Sequence, residues 1–558
     1  MNQPLSRRSV LGGSAAVAAA GFFGFSAKSY GNIVGSNDAI RMGVIGFNGR
    51  GNSHIDAYMK MKGVRIVALC DADAAVLAKG LARVERGDVK PTKGPSTRPT
   101  TKPMAQNVRK GQKGVDDAVL ASASDAAADD RNALTGGPAT MPTTKPATKV
   151  TPYADLRKLL DNKDIDAIST ATPNHWHALI SIWACQAGKD VYVEKPVSHN
   201  VSEGRRIVEA ARKYDRIVQA GMQARSNMAL KAAYAWVQAG NLGKIKVSRG
   251  LCYKRRGTIG KTTGDQPIPK SVDYELWTGP AAMQPLHREK LHYEWHWQWN
   301  CGNGDLGNQG IHQMDTARWA LGKEGLSPKV LSVGGRFGYE DDGHTPNTQM
   351  VVHDYGDSML IFEVRGLPKA DQTGGMDKLL GIDIGTIVEC ENGYMVDTGY
   401  TSEPKVYDWD GKFVRKFARE KSEDTVDGIN DGNGGHFVNF VKALRSRKRE
   451  DQNGEILEGH LSSALCHTGN ISYQLGQKVK PREIREALKG NKAGLETFGR
   501  LRDHLEDNGV SILGDQAVLG ASLEMDPKTE RFTGDNAEKA NALLTREYRK
   551  GFEVPASV

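Results

Sequence analysis

The sequence predicts an α/β fold whose first part is a doubly wound parallel sheet. Two observations carry this prediction. An apolar segment that starts at Ile40 runs into a glycine-rich turn and then into a helix-like segment that continues through Tyr58. Between residues 153 and 221, short apolar strands alternate with helical segments. Strands that alternate with helices form parallel sheets with helices on both faces.

Length and composition limit the classes of function. The chain has 558 residues, enough for two or three domains, and a formal charge of +9. Many positive residues gather in the N-terminal segment and in a Lys/Thr/Pro-rich stretch, without a basic helix or a basic–aromatic alternation, so we expect no nucleic-acid partner. The six cysteines are scattered without a CxxC motif, and the histidine pairs lack partners at ligand spacing. We therefore predict buried thiols and no metal site.

Residues 1–35 have the pattern of a targeting segment. Arg7 and Arg8 precede a run of small and apolar residues from Leu11 to Phe25. This resembles a twin-arginine signal, which exports folded proteins and suits an enzyme that acquires its cofactor in the cytoplasm. The run is short and rich in glycine and alanine, so we expect no stable membrane span unless the signal stays uncleaved. The predicted location is periplasmic or extracytoplasmic.

The turn after the first strand resembles a dinucleotide-binding motif. Residues 46–51 read G-F-N-G-R-G, so an asparagine stands at the second glycine position of G-x-G-x-x-G. Asparagine tolerates left-handed backbone better than most residues, so the turn can survive this exchange. The predicted cofactor contacts here are Gly46, Asn48, Gly49, Arg50 and Gly51.

Asp71 ends the second strand, about 20 residues after this turn. A carboxylate at this position would bond the ribose hydroxyls of the adenosine and repel a 2′-phosphate, which favours NAD over NADP. The alternative is a turn aspartate at a strand end. Beyond it, residues 87–150 break the pattern, with Lys/Thr/Pro-rich stretches and few bulky apolar side chains. We expect a disordered insert in the nucleotide domain, because such a segment cannot bury enough surface to offset its ordering entropy.

Two later strands end in polar residues at one edge of the predicted sheet. The strand 166–172 leads into a Pro-Asn-His-Trp-His segment, and the strand 191–193 leads into Glu-Lys-Pro. Open parallel sheets bind ligands beyond the carboxyl ends of their strands, so the lysine is placed to contact a ligand. The alternative is a surface Glu-Lys pair before a turn. The predicted cofactor contacts from these strands are Thr172, Pro173, Asn174, Trp176, His177, Glu194 and Lys195.

With these motifs in order, the sequence resembles the Gfo/Idh/MocA oxidoreductases, the glucose-fructose oxidoreductase and inositol dehydrogenase family. A last motif, at residues 308–315, completes the set, and the resemblance covers about residues 41–476 apart from the insert. It implies an NAD-binding Rossmann domain at 40–221 and a C-terminal α+β domain at 222–558 with an open, largely antiparallel sheet. In the family this sheet commonly mediates dimers or tetramers, so the resemblance implies a homodimer or homotetramer.

The resemblance also implies the reacting groups. The histidine that matches His312 is the usual acid/base of the family, and the lysine that matches Lys195 bonds the reacting hydroxyl. Histidine suits a base because its pKa lies near neutral. We place His312 in a turn before a helix at 314–321. Family members often carry aspartate where this chain has Asn308, an amide that can orient a hydroxyl but cannot stabilise an imidazolium as a carboxylate does. Asp305 and Asp315 are the candidates to compensate, with a role in the helix as the favoured alternative for Asp315.

An aromatic stretch precedes this motif. Residues 295–300 read W-H-W-Q-W-N, and aromatic faces bind the C–H faces of sugars. Trp295 is therefore a candidate saccharide platform, with a core or interdomain cluster as the alternative. Tyr253, Lys254 and Arg256 are further candidates to reach a substrate from the second sheet. The predicted catalytic residues are Lys195, His312 and Asn308, and the predicted substrate contacts are Lys195, Trp295, Asn308 and His312.

Three functions remain open. The first is an NAD-dependent oxidoreductase that transfers hydride between a carbinol of a sugar, sugar acid or cyclitol and the nicotinamide. The second is an NAD-dependent glycosidase or lyase that acts through transient oxidation at C3 and elimination. The third is a non-catalytic carbohydrate-binding protein on the same fold, suggested by Asn48 and Asn308. The joint presence of Asp71, Lys195 and His312 argues against the third.

Overall fold

The computed structural model describes residues 39–88, 149–369, 375–400, 402–419, 425–426, 429–430, 435–514 and 517–558. The predicted export segment, 1–35, and all but the ends of the predicted insert, 87–150, lie outside these residues. Val150 is already buried at 3% exposure, so the packed chain resumes inside the predicted boundary of the insert. No helix among the described residues is long and apolar enough to cross a membrane.

The helices of the described residues alternate with strands up to residue 220 and are unevenly distributed among the strands beyond it. The α-helices are α1 Gly51–Lys60, α2 Ala74–Arg86, α3 Leu156–Asp161, α4 Asn174–Gln186, α5 Val201–Lys213, α6 Met228–Gln238, α7 Tyr274–Thr278, α8 Gly304–Gly307, α9 Gly310–Leu321, α10 His436–Ser446, α11 Ile456–Gln474, α12 Pro481–Ala487, α13 Lys492–Asp507 and α14 Ala537–Ala542. Short 3-10 helices lie at Gln223–Ser226, Glu294–Trp297 and Arg449–Asp451.

The strands fall into two large sheets and one small hairpin. They are β1 Ile40–Ile45, β2 Val64–Cys70, β3 Thr151–Tyr153, β4 Ala167–Thr170, β5 Asp190–Val193, β6 Val218–Ala220, β7 Ile245–Tyr253, β8 Lys329–Gly335, β9 Thr348–Asp354, β10 Met359–Arg365, β11 Ile384–Cys390, β12 Gly393–Asp397, β13 Lys405–Tyr407, β14 Phe413–Lys416, β15 Thr425–Val426, β16 Ile429–Asn430, β17 Gln477–Val479, β18 Ala517–Leu519, β19 Leu523–Asp526 and β20 Arg531–Thr533.

The first sheet has six parallel strands in the order β3-β2-β1-β4-β5-β6. Its central strands are apolar because both faces are covered. Tyr192 of β5 packs with α1 and α10 on one face, whereas Val191 and Val193 pack with α4 and α5 on the other. The order reverses between β1 and β4, so the carboxyl ends of these strands open the crevice in which such sheets bind ligands. The predicted doubly wound parallel sheet is confirmed.

The second sheet has twelve strands, and ten of them follow the order β14-β13-β12-β11-β7-β10-β9-β8-β18-β17. Of its described pairings only β7 with β10 is parallel, so the predicted largely antiparallel sheet is confirmed. Alternate residues of β10 point to opposite faces, as strand geometry requires. Phe362 packs with α9 and α11 on one face, and Ile361 packs with α12 and α13 on the other.

One helix from the second half of the chain completes the first sheet. Phe437 of α10 stacks on Tyr192 with ring centroids 4.6 Å apart and meets Tyr58 of α1 edge-on at 5.4 Å. The predicted division at residues 221 and 222 lies just after β6, but α10 packs on the N-terminal side of this division. The two halves therefore share a core around β5, which ends at the candidate site.

Candidate functional site

The turn 46–51 is closed by two glycines that no other residue can replace. Gly46 has a φ of 73°, and a Cβ there would lie 2.7 Å from Cγ2 of Thr172. A Cβ on Gly51 would overlap the carbonyl oxygen of Gly46. Asn48 is exposed and does not adopt a positive φ, so the tolerance of asparagine for left-handed backbone is not needed at this position. The exposed Asn48 and Gly49 leave the tip of the turn open to a ligand.

Asp71 lies directly against this turn. Its Oδ2 accepts a hydrogen bond from the backbone N–H of Phe47 at 3.1 Å, and its Oδ1 accepts one from the N–H of Asp73 at 3.0 Å. Burial raises the pKa of Asp71, while the two backbone hydrogen bonds lower it. The carboxylate is thus held beside the glycine turn, where the predicted contact with a ribose requires it to be.

Glu194 joins β5 to the same turn. Its Oε1 accepts hydrogen bonds from Nε of Arg50 at 2.8 Å and from Nε2 of Gln223 at 3.3 Å, and it lies 3.1 Å from Nε2 of His54. Burial alone would raise the pKa of Glu194, but the charge of Arg50 and the His54 hydrogen bond hold it well below its usual value. Arg50 and Glu194 therefore bind each other and fix the turn to the end of β5.

Lys195, the next residue, joins β5 to the second half of the chain. Its Nζ donates a hydrogen bond to the backbone carbonyl of Asn308 at 2.8 Å, and its side chain is only partly buried. The Lys195–Pro196 peptide bond is cis. The amine therefore lies at the junction of the two sheets, next to the motif that carries His312.

His312 lies in the first turn of α9, which begins at Gly310. The prediction that it precedes a helix starting at Met314 was wrong, because glycine is a poor helix former and gave no sign of the true start. The imidazole is buried at 6% exposure and meets the ring of Tyr400 edge-on at 5.0 Å. The helix therefore fixes His312 more rigidly than a turn would.

Both candidates to compensate for Asn308 form ion pairs with arginines. Asp305 forms a two-point ion pair with Arg256, with distances of 2.7 and 2.9 Å. Asp315 forms another with Arg225 at 2.8 and 2.9 Å. Both carboxylates are bound by arginines from distant segments, and support of His312 by either of them stays a prediction. The amide of Asn308 keeps that position.

The strand end at residues 172–177 contributes packing more than open surface. The sequence predicts a helix at 178–188, but α4 begins four residues earlier at Asn174, because Pro173 directly precedes its first turn. The ring of His177 bridges the carbonyls of Pro196 at 2.6 Å and Thr172 at 2.7 Å. Nε1 of Trp176 donates to the carbonyl of Trp277 at 3.1 Å. These contacts position the loops around the site, and direct cofactor contacts by Thr172, Pro173, Trp176 and His177 stay predictions.

Trp295 lies in a small cluster that joins the two halves of the chain. Its ring stacks on His296 with a centroid distance of 3.6 Å and packs on a buried group that includes Val272 and Cys301, together with Ala72 from the loop after β2. These contacts are those of the interdomain cluster that we gave as the alternative. Trp295 is only half-buried, and its role as a saccharide platform stays a prediction.

Tyr400 is a site residue that the sequence did not indicate. It follows β12 in a turn that Asn227 holds through a hydrogen bond to the carbonyl of Ser402 at 2.9 Å. The pKa of Arg50 is raised overall. Burial lowers it, but the charge of Glu194 raises it, and Tyr400 adds a smaller contribution in the same direction. Tyr400 therefore lies against His312 and contributes to the electrostatic surroundings of Arg50. The available signal was an aromatic residue after a glycine in a strand-to-strand turn, which is common in turns that bind nothing.

The proposed substrate contacts from the second sheet separate in the structure. Lys254 is buried and donates to Oε1 of Gln309 at 3.1 Å, next to the His312 motif. Tyr253 donates to Glu363 on the opposite side of β7, and Arg256 binds Asp305. Only Lys254 of the three is brought beside α9.

The residues present fit NAD. Oδ1 of Asn174 and Nδ2 of Asn308 are buried and have no hydrogen-bond partner among the described residues, and buried polar groups of this kind are ordinarily satisfied. An amide oxygen at the start of α4 and an amide nitrogen of the residue that Lys195 contacts are therefore available to a ligand with donors and acceptors. The glycine turn, which a Cβ would fill, provides the close backbone approach that a pyrophosphate needs. No group of three possible metal ligands occurs in the described part of the chain.

Comparison with known families agrees with this geometry. Residues 117–222 match the model of the NAD-binding Rossmann fold of the Gfo/Idh/MocA oxidoreductase family, and residues 227–364 match the model of its C-terminal alpha/beta domain. The first match starts inside the predicted insert and does not include the glycine turn or Asp71. The two matches agree with the observed order of the two domains and indicate an NAD-binding Rossmann fold in residues 117–222.

Individual relatives are distant. Levoglucosan dehydrogenase of Pseudarthrobacter phenanthrenivorans is 27% identical over 179 residues, which cover 32% of this chain and 39% of the relative. A glycosyl hydrolase family 109 protein of Shewanella sp. is 25% identical over 174 residues, covering 31% and 26%. The matched region thus spans less than half of these relatives. The WlbA dehydrogenase of Bordetella pertussis, solved with NADH and UDP-GlcNAcA, is 17% identical, with coverages of 76% and 94% and a TM-score of 0.48.

Proposed function

We propose that this protein is an oxidoreductase that transfers hydride between NAD and a carbinol of a sugar, sugar acid or cyclitol. The observation that carries the proposal is the junction at Lys195. Its neighbour Glu194 is tied to the glycine turn through Arg50, and its own amine is tied to Asn308, one turn before His312. Nucleotide turn, amine and imidazole therefore converge on one crevice between the two sheets.

Each of these residues has a chemical task in such a reaction. Bound NAD supplies the hydride acceptor or donor. His312 takes the proton of the reacting hydroxyl, which is the task of a general base. Lys195 donates a hydrogen bond to the same oxygen and stabilises the charge that develops on it. To do so its Nζ exchanges the carbonyl of Asn308 for the substrate oxygen, over a distance that a lysine side chain covers by rotation.

Asn308 is the third residue of the proposed reacting group. An amide can orient a hydroxyl through its hydrogen bonds, whereas it cannot stabilise an imidazolium as a carboxylate does. The carboxylates of Asp305 and Asp315 are each held by an arginine. We therefore propose that Asn308 orients the reacting hydroxyl.

The second candidate is an NAD-dependent glycosidase or lyase. In this reaction, oxidation at C3 acidifies the neighbouring C–H, elimination follows, and the hydride is returned, so no net oxidation occurs. The similarity to glycosyl hydrolase family 109 proteins supports this candidate. The presence of Lys195 at the reacting hydroxyl favours the oxidoreductase. A carbohydrate-binding protein without activity is the third candidate.

We further propose export by the twin-arginine route to a periplasmic or other extracytoplasmic location, supported by Arg7-Arg8 and the apolar run that follows. An exported enzyme meets little free NAD. It would therefore have to carry its nucleotide through many turnovers. A homodimer or homotetramer is proposed from the family resemblance.

The first experiment identifies the nucleotide and the net reaction. Protein purified from a cofactor-replete host is denatured, and the released nucleotide is identified by mass spectrometry. We expect NAD in about equal amount to protein. Turnover on a panel of sugars, sugar acids and cyclitols then separates net oxidation from redox-neutral cleavage.

Lys195→Met tests the central assignment. We expect it to lose turnover while keeping NAD, because it removes only the donor to the reacting oxygen. Lys261→Met is the matched control, since Lys261 forms an exposed ion pair with Glu340. Full turnover of Lys195→Met would remove the catalytic assignment. Absence of NAD binding by the wild type would favour the non-catalytic candidate.

A further inference from the structure

A segment of the second half of the chain covers the loop that carries Asp71. This crossover segment, residues 266–301, lies between β7 and α8. Its backbone pairs with the loop 71–74 after β2. Ala74 donates its N–H to the carbonyl of Ser271 at 2.8 Å, and Asp273 donates its N–H to the carbonyl of Ala72 at 2.9 Å. The loop is therefore enclosed between α2 and the crossover segment.

A side-chain contact reinforces this pairing. Nε2 of His292 lies 3.1 Å from Oδ2 of Asp73. The other oxygen of Asp73 accepts the N–H of Ala75 at 2.9 Å and so begins α2. The pKa of Asp73 is lowered overall. Burial raises it, but hydrogen bonds, among them those from Ser271 and His292, lower it by more. The charged form of Asp73 is thus the form that the crossover segment binds.

Asp73 in turn orients Asp71. Its backbone N–H donates to Oδ1 of Asp71 at 3.0 Å. A change in the position of Asp73 therefore moves one of the two hydrogen-bond donors that fix the ribose carboxylate. His292 is linked to Asp71 through a single intervening residue.

The far side of the crossover segment is also fixed. Arg546 donates to the backbone carbonyl of Asn300 at 2.8 Å and to its Oδ1 at 2.7 Å. Arg549 donates to the carbonyl of Gly279 at 3.2 Å. The segment is held between the nucleotide-side loop and the C-terminal residues of the chain, so it cannot move as a free surface loop does.

We propose that the crossover segment is a latch on the adenosine end of the NAD site, and that His292 is the positioning residue that closes it through Asp73. The proposal rests on the proposed function in so far as Asp71 binds the ribose. Release of the nucleotide requires the loop 71–74 to separate from the segment, which breaks two backbone hydrogen bonds and the His292–Asp73 contact together. The latch sets the residence time of the nucleotide, and so provides what an enzyme needs to retain NAD through many turnovers.

The test measures the rate at which NADH leaves the full-length protein. NADH fluorescence is followed after mixing the complex with excess NAD. His292→Ala is expected to accelerate dissociation about tenfold, the effect of one hydrogen bond to a charged group. His287→Ala is the matched control, because His287 lies in the same segment and pairs with Asp265 in an exposed position. Its rate is expected to equal that of the wild type.

Two further variants separate a latch from a general loss of packing. Asp73→Asn keeps an oxygen that can begin α2 but loses the charge that faces His292, so it is expected to accelerate dissociation as His292→Ala does. The double variant is expected to be no faster than either single variant. His292→Gln, which can still donate to Asp73, is expected to restore most of the residence time.

The outcomes distinguish the two proposals. Unchanged dissociation in both His292→Ala and Asp73→Asn, with NADH bound, overturns the latch and leaves the proposed function intact. Rates that multiply in the double variant also overturn it, because independent effects would then act at the two residues. A wild type that binds neither NADH nor NAD overturns both.

Discussion

Glu194 and Lys195 are neighbours in the chain with different tasks. Glu194 leaves the end of β5 toward Arg50 and His54, where its side chain is 4% exposed. Lys195 leaves it toward Asn308 and stays partly open to the crevice. Successive side chains of an extended backbone point to opposite sides, so one dipeptide serves both the nucleotide turn and the second sheet. The motif is therefore a junction between the two halves of the chain as much as a pair of ligands.

Asp71 is expected to determine which nucleotide binds. Asp71→Ser removes the charge that would repel a 2′-phosphate and one acceptor for the ribose hydroxyls. We expect the Kd for NAD to rise about tenfold and the preference for NAD over NADP to shrink by a larger factor, since repulsion of NADP is lost as well. Titration of both nucleotides measures this. Asp161→Ser, at the exposed end of α3, should leave both values unchanged. An undiminished preference for NAD would contradict the ribose role.

Tyr400 is expected to contribute through its hydroxyl and through its ring. Tyr400→Phe keeps the edge contact with His312 but removes the phenolic hydroxyl. We expect kcat/KM to fall about tenfold, the effect of one hydrogen bond to a group that becomes charged. Tyr400→Ala should lower it further, because His312 also loses packing. Tyr394→Phe is the control, because Tyr394 lies at the start of β12 and stacks on Tyr407. Wild-type kcat/KM in Tyr400→Phe would limit Tyr400 to packing.

Residues with local signals were the predictable part of this site. Gly46 and Gly51 follow from the turn they close, and Asp71 follows from its place at a strand end. Tyr400 reaches the site only because β12 lies in the second sheet and its turn returns to the first. The pairing of Asp305 with Arg256 likewise depends on segments that are distant in sequence. No local pattern contains such partners, because tertiary packing chooses them.

The turn after β12 is the element that brings Tyr400 to His312, and Asp397 holds it. Asp397 accepts hydrogen bonds from the hydroxyl of Tyr234 at 2.7 Å and from the N–H of Gly399 at 3.0 Å. Burial raises the pKa of Asp397 from 3.8 to about 6 against these bonds. A carboxyl group with a raised pKa binds its proton more tightly in the folded protein. Its contribution to stability is therefore complete below pH 3.8 and is lost as the pH rises through about 6.

Asp397→Asn is expected to abolish this pH dependence. It keeps a polar side chain in the same place without a charge to bury. Relative to wild type, its free energy of unfolding should increase by about 1–2 kcal/mol between pH 5 and pH 8, as the linkage relation gives for such a shift. Urea unfolding at the two pH values measures this. Asp410→Asn, in an exposed turn, should show the same change in the free energy of unfolding between the two pH values as wild type. If the free energy of unfolding of Asp397→Asn changed between the two pH values as that of wild type does, the pKa of Asp397 would be an ordinary one.

At the scale of elements, helix and strand identity was predictable and helix starts were not. The sequence predicts strands at 247–253, 329–337, 349–355, 358–365 and 384–390, because these segments are rich in apolar and β-branched residues. Strands β7, β8, β9, β10 and β11 lie within two residues of these segments. The starts of α4 and α9 were placed four residues late. Asn174 and Gly310 open these helices, and neither is a strong helix former, so the sequence pattern became helical only further along.

The whole molecule covers most of its second sheet with its own chain. The sheet face opposite α9 carries the buried charges of Arg249 and Glu363. The helix α13 supplies Thr497, which accepts from Arg249 at 2.8 Å, and Arg500, which binds Glu363 at 2.6 Å. Buried charges without partners would cost several kcal/mol, so α13 is the matching cover of this face. The sequence did not reveal this, because neither sheet nor helix shows which partner it has.

This cover restricts where copies of the chain can meet. The predicted homo-oligomer would use the open sheet, but α13 occupies that face along β9 and β10. Large apolar side chains remain exposed at the outer end of the sheet, where Trp409 and Phe413 are each 54% exposed beside the stacked rings of Tyr394 and Tyr407. Exposed apolar clusters of this kind are common at subunit contacts. We therefore expect self-association to use the edge formed by β13 and β14.

The double variant Trp409→Ser/Phe413→Ser tests this expectation. It should lower the molar mass measured by light scattering after gel filtration to that of one chain, 60.7 kDa, because it removes the two largest exposed apolar side chains of the edge. Leu513→Ser is the control, since Leu513 is 70% exposed and lies away from β14. An oligomer that survives the double variant would place the contact elsewhere. If the wild-type protein itself has the molar mass of one chain, α13 takes the place of the partner subunit that the family resemblance implies.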